Sequence, residues 1–485
     1  MSAATVDAPM YDVGVVGAGV VGLAVARELV SYGVRVAVLD SAPDVGEGTS
    51  KANTAILHTG FDATPGTLES RLVRRGYELV RSYASRAGIA VEPTGALLVA
   101  WDDDELATLP AIAAKADANG YADARAVGVD ELYRMEPRLG QGALGALAVP
   151  GESVIDPWST PLAFATEAVL GGADLLLEHR LEGVDPFRDP DAADACDGPH
   201  PRDAAAAHDL RTSAGAVRCR WLVNAAGLYA DVIDKMLGHD DFTVTPRRGE
   251  LVVFDKLARG LVRHILLPVP TARGKGVLVA PTVFGNVLLG PTAQDLDDRT
   301  DTASTEAGLA TLRGRGRRIL PALLDEEVTA VYAGLRAATE HSDYQIRLHP
   351  DQRYVCVGGI RSTGLTASMA IAEHVVELLR EGGLMLGDRF DTDPPMMPAL
   401  GEAQLRPYHN SQLVDADSAY GTIVCHCERV SLGELRDALT APVPARSMDG
   451  LRRRSRATNG RCQGFHCGAT VRSLLESSAG WEGGQ

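Results

Sequence analysis

The feature that most constrains this chain is Val13-Gly14-Val15-Val16-Gly17-Ala18-Gly19-Val20-Val21-Gly22, an apolar run ending in Gly-x-Gly-x-x-Gly and opening a helical pattern from Leu23 to Ser31. Strand, glycine turn and helix in that order form part of a dinucleotide-binding unit. The first glycine permits the tight turn, the second lets backbone N–H groups approach a pyrophosphate, and the third lets helix and strand pack closely. The helix N-terminus adds the positive end of its dipole. A second apolar run, Val34 to Leu39, ends in Asp40, near the roughly 20-residue offset at which a carboxylate meets a ribose hydroxyl. Gly17, Ala18, Gly19, Val20, Val21, Gly22 and Asp40 are therefore expected to hold a dinucleotide. An ordinary glycine turn is the plain alternative.

With 485 residues the chain has room for two or three domains, each with its own core. Its 47 basic and 64 acidic residues leave a net charge of −17, which argues against a nucleic-acid partner. Met1 to Met10 carry no Lys or Arg and no long apolar run, unlike a signal peptide. No segment approaches the roughly 18 uninterrupted apolar residues of a membrane span. Four of the seven cysteines fall in the last 61 residues, the distribution of metal ligands in a reducing compartment rather than of a disulfide framework. A cytoplasmic protein is expected.

Beyond Asp40, Ser41 to Ile56 is rich in Gly, Ser, Thr and Asn. Ser41, Thr49, Ser50 and Asn53 can offer donors to a ligand, or belong to a solvated loop. Ala55-Ile56-Leu57 runs into His58, and a histidine after a buried strand serves either as a base or as a satisfied loop residue. Thr67 to Ala87 has one apolar helical face, with Gly88 as its stop. Ile89 to Trp101 reads as strand, turn and strand. Ala107 to Asn119, Val129 to Glu136 and Pro161 to Leu170 read as helices, and Asp174 to Pro186 as a single strand. Asp185 to Ala216 reads as a long exposed hairpin insertion, with two plain thiols, Cys196 within it and Cys219 just beyond it. Trp221 to Asp231 repeats strand, small-residue turn and helix, bringing Ala226 and Gly227 toward the same cofactor. Alternating runs between Val244 and Gly290 predict an antiparallel sheet, with Arg247, Arg248 and Lys275 as solvated edge charges. Arg336 stands where a strand ends. Tyr354 to Gly359, Ile360 to Ser368 and a helix to Arg380 return to strand, turn and helix, with Gly364, Leu365 and Thr366 on the turn.

Four of these stretches, Gly17 to Gly22, Asn53 to Gly60, Asn224-Ala225-Ala226-Gly227 and Gly358 to Ser368, together resemble the FAD-dependent oxidoreductase family of D-amino-acid oxidase and glycerol-3-phosphate dehydrogenase over residues 10–385. The resemblance implies FAD rather than NAD, with Asp40 at the adenosine ribose, Val184 among the cofactor contacts and Gly364 to Thr366 near the flavin ring. It implies an α/β fold with a Rossmann-like FAD-binding domain, discontinuous over 10–90, 150–240 and 330–390. An antiparallel-sheet substrate domain over 91–149 and 241–329 is inserted in it. It also puts His58 beside the flavin, as a base or as a point of covalent flavin attachment. Arg336 and Arg361 are candidates for a substrate anion, since a guanidinium fork matches phosphate or carboxylate in two-point contact. Arg361 resembles the carboxylate-binding arginine of the amino-acid oxidases.

Asp391 to Tyr420 contains Pro394, Pro395, Pro398 and Pro407 and reads as a linker over 391–420. Beyond it, Cys425, Cys427, Cys462 and Cys467 supply four thiolates in two close pairs, suited to zinc or to an iron–sulfur cluster. The Cys-x-Cys spacing leans away from a zinc ribbon. Cys425 to Val430, the helical run Leu432 to Leu439 and Gly460 to Gly468 resemble the bacterioferritin-associated-ferredoxin-like domain, which implies a small helical [2Fe–2S] domain over 421–478. A flavin oxidoreductase with such a tail is similar to the anaerobic, quinone-linked glycerol-3-phosphate dehydrogenases, and Asn53 to Gly60 also resembles L-2-hydroxyglutarate oxidase. The implied activity is oxidation of sn-glycerol 3-phosphate to dihydroxyacetone phosphate, with hydride passing to the flavin and electrons onward through the cluster. The alternatives are oxidation of a 2-hydroxy acid or an amino acid, with Arg361 on the carboxylate, and a non-catalytic electron-transfer subunit. The implied partners are a small anionic substrate and an electron acceptor, either a quinone or a partner subunit, with peripheral membrane association.

Overall fold

The computed structural model describes residues 9–188, 206–270 and 276–478. Cys196 and Lys275 lie outside these residues, as do Met1 to Ala8 and the middle of the expected insertion. The opening strand Met10–Val16 runs parallel to Val36–Leu39 on one side and to Gly215–Asn224 on the other. Asp174–Leu176 and Tyr354–Gly358 extend this parallel sheet outward. The central parts of these strands are apolar because both faces are covered there, and successive side chains alternate between two cores. Val13, Val15, Val36 and Val38 pack under the helices Val20–Val30, Ser159–Leu170 and Gly364–Gly382. Tyr11, Ala37, Leu39 and Leu222 pack with the helix Ala230–Met236 and the antiparallel strands Leu181–Arg188 and Ala206–Thr212.

The stretch from Asp174 to Pro186 is two strands rather than one. Glu178 adopts a left-handed φ of 60°, and the turn carries the chain from one edge of the sheet to the other. The helix Leu68–Ala87 opens on a Thr67 N-cap, one residue after the expected start, and stops as expected at a left-handed Gly88.

The second sheet has nine strands. In spatial order they are Gln294–Asp295, Thr245–Phe254, Val287–Gly290, Leu278–Pro281, Ile265–Pro268, Ala96–Ala100, Gly145–Val149 and Arg125–Gly128, with Val328–Ala338 also beside Thr245–Phe254. It is antiparallel except where Ile265–Pro268 meets Ala96–Ala100. Those two strands come from distant parts of the chain, so no hairpin fixes their relative direction. Arg248, expected as a solvated edge charge, is 4% exposed and bonds Asp301 (3.0 Å) and Gln294 (2.7 Å).

The stretch 391–420 packs along the body. Met397 N donates to Ala87 O (2.8 Å), Glu402 N donates to Val283 O (2.9 Å), and Leu400 is buried. The C-terminal unit builds its own small core from Val430, Leu435, Leu451, Val471 and Leu475. Its helices are Leu432–Thr440, opened by a Ser431/Glu434 capping box, Met448–Ser455 and Gly468–Ser477.

Candidate functional site

A cavity of about 1300 Å³ opens where the C-terminal ends of the parallel strands face the second sheet. Gly17 turns there with φ +113°, and a Cβ on it would overlap the Ala225 carbonyl. A Cβ on Gly22 would overlap the Gly17 carbonyl, so helix and strand approach as closely as the fingerprint demands. Asp40 Oδ2 accepts from Ala18 N (2.6 Å) and Oδ1 from Ala42 N (2.8 Å). Burial raises its pKa above the ordinary carboxylate range, against the lowering effect of these amides. Val20 N, in the first turn of the helix, donates to Ser50 Oγ (3.0 Å). Asn53 braces the same loop, donating to Ser50 O (2.8 Å) and accepting from Ala55 N (2.8 Å), while Thr49 Oγ1 donates to Leu335 O (2.6 Å).

Gly19, Val20, Val21, Ser41, Gly227, Gly364 and Leu365 line the cavity with Gly17, Asp40, Thr49, Ser50, Asn53 and Ala226. Ala18, Gly22 and Thr366 stand behind it as supports. Val184 is placed elsewhere. It pairs with Leu210 in the hairpin, and Leu181 lines the cavity in its place, since the turn at Glu178 resets the register. A glycine loop free of side chains, a helix start and a carboxylate at the adjoining strand end together fit a dinucleotide.

Deeper in the cavity, His58 Nδ1 lies 3.0 Å from Glu152 Oε2. Glu152 is wholly buried, and its Oε1 accepts from Thr59 N (2.6 Å) and Thr59 Oγ1 (2.9 Å). A carboxylate beside Nδ1 makes that atom the donor, which leaves Nε2 with its lone pair. His58 N in turn donates to Thr366 Oγ1 (3.0 Å). Glu152 was not singled out from the sequence. Its signal is a carboxylate between two apolar strands, Gly145–Val149 and Ser153–Ile155.

The two candidate anion-binding arginines differ. Arg336 donates to Thr292 O (2.7 Å) and forms no ion pair among the described residues. Partial burial lowers its pKa to about 10, so it keeps its positive charge at neutral pH. Arg361 also lines the cavity, but it is paired with Glu69 (3.0 Å) and donates to Ser342 O (2.6 Å). Its charge is already answered.

In the tail, the four cysteines are unbridged and face each other two by two, Cys427 with Cys462 and Cys425 with Cys467. The amides of His466, Gly464 and Phe465 point at Cys462 and lower its pKa. Left-handed backbone at Gln463 and Gly464 turns them inward. No described trio of His, Cys, Asp or Glu meets as a single-ion site would. Two facing pairs fit the Cys₄ ligation of a two-iron cluster, two thiolates to each iron.

The sequence profile of the family described as FAD dependent oxidoreductase matches residues 12–378. The chain belongs to that family. Its tail, residues 423–477, matches the BFD-like [2Fe-2S] binding domain. FAD and a [2Fe–2S] cluster are thus its cofactors, and it is an FAD-dependent oxidoreductase. It is 33% identical over 474 residues to a glycerol 3-phosphate dehydrogenase of Caloramator mitchellensis, covering 98% of this chain and 95% of the relative. The FAD-bound L-alpha-glycerophosphate oxidase of Mycoplasma pneumoniae superposes with a TM-score of 0.71 at 27% identity, over 80% of this chain and 98% of that one. The L-2-hydroxyglutarate dehydrogenase of Homo sapiens is 27% identical over 288 residues, 58% of this chain and 61% of the relative. No helix among the described residues is long and apolar enough to cross a membrane.

Proposed function

We propose that this oxidoreductase converts sn-glycerol 3-phosphate to dihydroxyacetone phosphate and passes the electrons through its own iron–sulfur domain. One observation carries the reading: a half-buried guanidinium with no ion pair among the described residues, Arg336, shares a cavity with a carboxylate-oriented imidazole, His58. The similarity of nearly the whole chain, tail included, to a glycerol 3-phosphate dehydrogenase supports it. Gly17, Gly19 and the start of the helix Val20–Val30 would hold the pyrophosphate of FAD, which would supply the two-electron oxidant.

Arg336 holds the substrate phosphate in a two-point fork. His58 Nε2 takes the proton of the secondary hydroxyl as the carbinol loses its hydride. Buried Glu152 steadies the imidazolium that results, and Thr59 and Thr366 hold both partners in place. Oxidation removes one proton and one hydride from the carbinol, which leaves the ketone. Cys425, Cys427, Cys462 and Cys467 would hold the cluster, which would supply a one-electron relay toward an acceptor such as a quinone or a partner subunit.

An anaerobic visible titration tests this. Glycerol 3-phosphate should bleach the flavin band. Bleaching by L-2-hydroxyglutarate alone would transfer the assignment to 2-hydroxy acids, and no bleaching by any alcohol or amino acid would leave an electron-transfer subunit.

A further inference from the structure

The helix Met448–Ser455 of the iron–sulfur domain lies against the loop that follows Asp40. Arg454 donates to both oxygens of Asp44, from Nη1 to Oδ2 (2.6 Å) and from Nη2 to Oδ1 (2.7 Å). Arg453 Nη2 donates to Asp44 Oδ2 (3.1 Å) and to Glu47 Oε1 (2.7 Å). These are not surface pairs. The side chains of Arg453, Arg454 and Asp44 are 7%, 3% and 2% exposed. A Cβ on Gly450 would overlap the Asp44 carboxylate, so the helix backbone sits on the loop with no room for a side chain between them. Residues 421–478 hold nine arginines against five acidic residues, within a chain of net charge −17, so the two surfaces attract.

The other side of the same loop meets the dinucleotide fingerprint. Gly46 N donates to Ala18 O (2.9 Å), and Ser50 Oγ accepts from Val20 N (3.0 Å). Glu47, Gly48, Thr49 and Ser50 line the cavity. One short segment, 44–51, thus joins the arginines of the iron–sulfur domain to the turn that faces the pyrophosphate.

We propose that the iron–sulfur domain clamps the FAD-binding loop, with Arg453 and Arg454 as positioning residues for FAD, so that the flavin is held tightly only while that domain is docked. This holds for any substrate and does not depend on the phosphate reading. The test compares the full-length proteins Arg454→Gln, Asp44→Asn and the double variant, following FAD release by the rise of free-flavin fluorescence and cluster content by visible absorbance. Removing one member of a buried pair leaves the other charge uncompensated, so each single variant should release FAD faster by on the order of tenfold or more, with the cluster retained. Asn at position 44 keeps an oxygen for the Val45 amide, so its effect reports the arginines. Because both changes break one contact, the double variant should release FAD no faster than the faster single. Should Arg454→Gln fail to load its cluster, Asp44→Asn carries the test, since it leaves the tail unaltered. Release unchanged in Asp44→Asn, or additive effects in the double variant, would overturn the clamp.

Discussion

Glu152→Gln isolates the orientation of His58 from its presence. Thr59 N can only donate, and it lies 2.6 Å from Glu152 Oε1, so the glutamine oxygen must occupy that position. The amide NH₂ then faces His58 Nδ1 across the 3.0 Å now spanned by Oε2. Two donors cannot share that bond, so Nδ1 becomes the acceptor and the ring proton moves to Nε2. Nε2 is the atom that has to receive the hydroxyl proton. A positioned general base contributes about 10²–10⁴-fold, or roughly 3–5 kcal/mol of barrier. Flavin reduction by glycerol 3-phosphate, followed by anaerobic stopped-flow absorbance, should slow within that range. Substrate affinity should hold, because Arg336 is untouched. FAD and cluster content, read from the resting spectrum, should match the parent protein. In a His58→Ala background the change should add little, as for residues that act as one unit. A parent-like rate in fully loaded Glu152→Gln protein would refute the role given to both residues.

Arg336→Met removes the unpaired cation. Charged hydrogen bonds are worth about 1.5–3 kcal/mol, so kcat/KM should fall roughly 10- to 100-fold with FAD retained, whereas Arg361→Gln, already paired with Glu69, should cost far less. Steady-state kinetics on the two variants decides between them. Substrate binding should also weaken as pH rises past the value of about 10 to which burial lowers Arg336, seen as a rising KM. Asp40 accepts most strongly from ribose hydroxyls when ionised, and burial raises its pKa. Acid release of FAD, read by fluorescence, should therefore begin above the ~3.9 of a free aspartate, and Asp40→Asn should flatten that dependence. Cys425→Ser should abolish the cluster absorbance and leave reduction of the flavin by substrate intact. Simultaneous loss of both signals would show that the two centres are not separable.

What could be read from the sequence was local. The fingerprint at Gly17 to Gly22, the carboxylate at Asp40 and the helix stop at Gly88 declare themselves through spacing and turn chemistry over a short stretch. Backbone sterics decide such positions, and no distant partner is needed. The pairing of His58 with Glu152 spans 94 residues, and nothing near either one names the other. Val184 was misplaced for a different reason. The leucines and the valine on either side of Glu178-His179-Arg180 look like one strand, whereas the left-handed Glu178 in that polar break takes the chain to the other sheet edge. Arg248 and Arg361 show the matching weakness for charge, since a basic residue at a turn looks the same in sequence whether it meets water, a carboxylate or a ligand. Only the structure separates Arg336 from them.

The run Arg452-Arg453-Arg454 carries the same lesson into the tail. Successive residues of a helix point about 100° apart, so three adjacent cations cannot share one task. Arg452 turns back to Thr458 within its own domain, Arg453 bridges Asp44, Glu47 and Asp449, and Arg454 grips Asp44 while donating to Val443 O. A few residues on, Arg456 bonds Glu428, next to Cys427, and Asn286 at a turn of the second sheet, and its guanidinium lies 4.2 Å from the Phe284 ring centre. Buried pairs of this kind add little net stability, because desolvation offsets the attraction, but each tolerates only one geometry. A domain hung on a loose tether would need none of them. Their burial fixes how the cysteine-bearing domain sits against the loop 44–51 and against the second sheet.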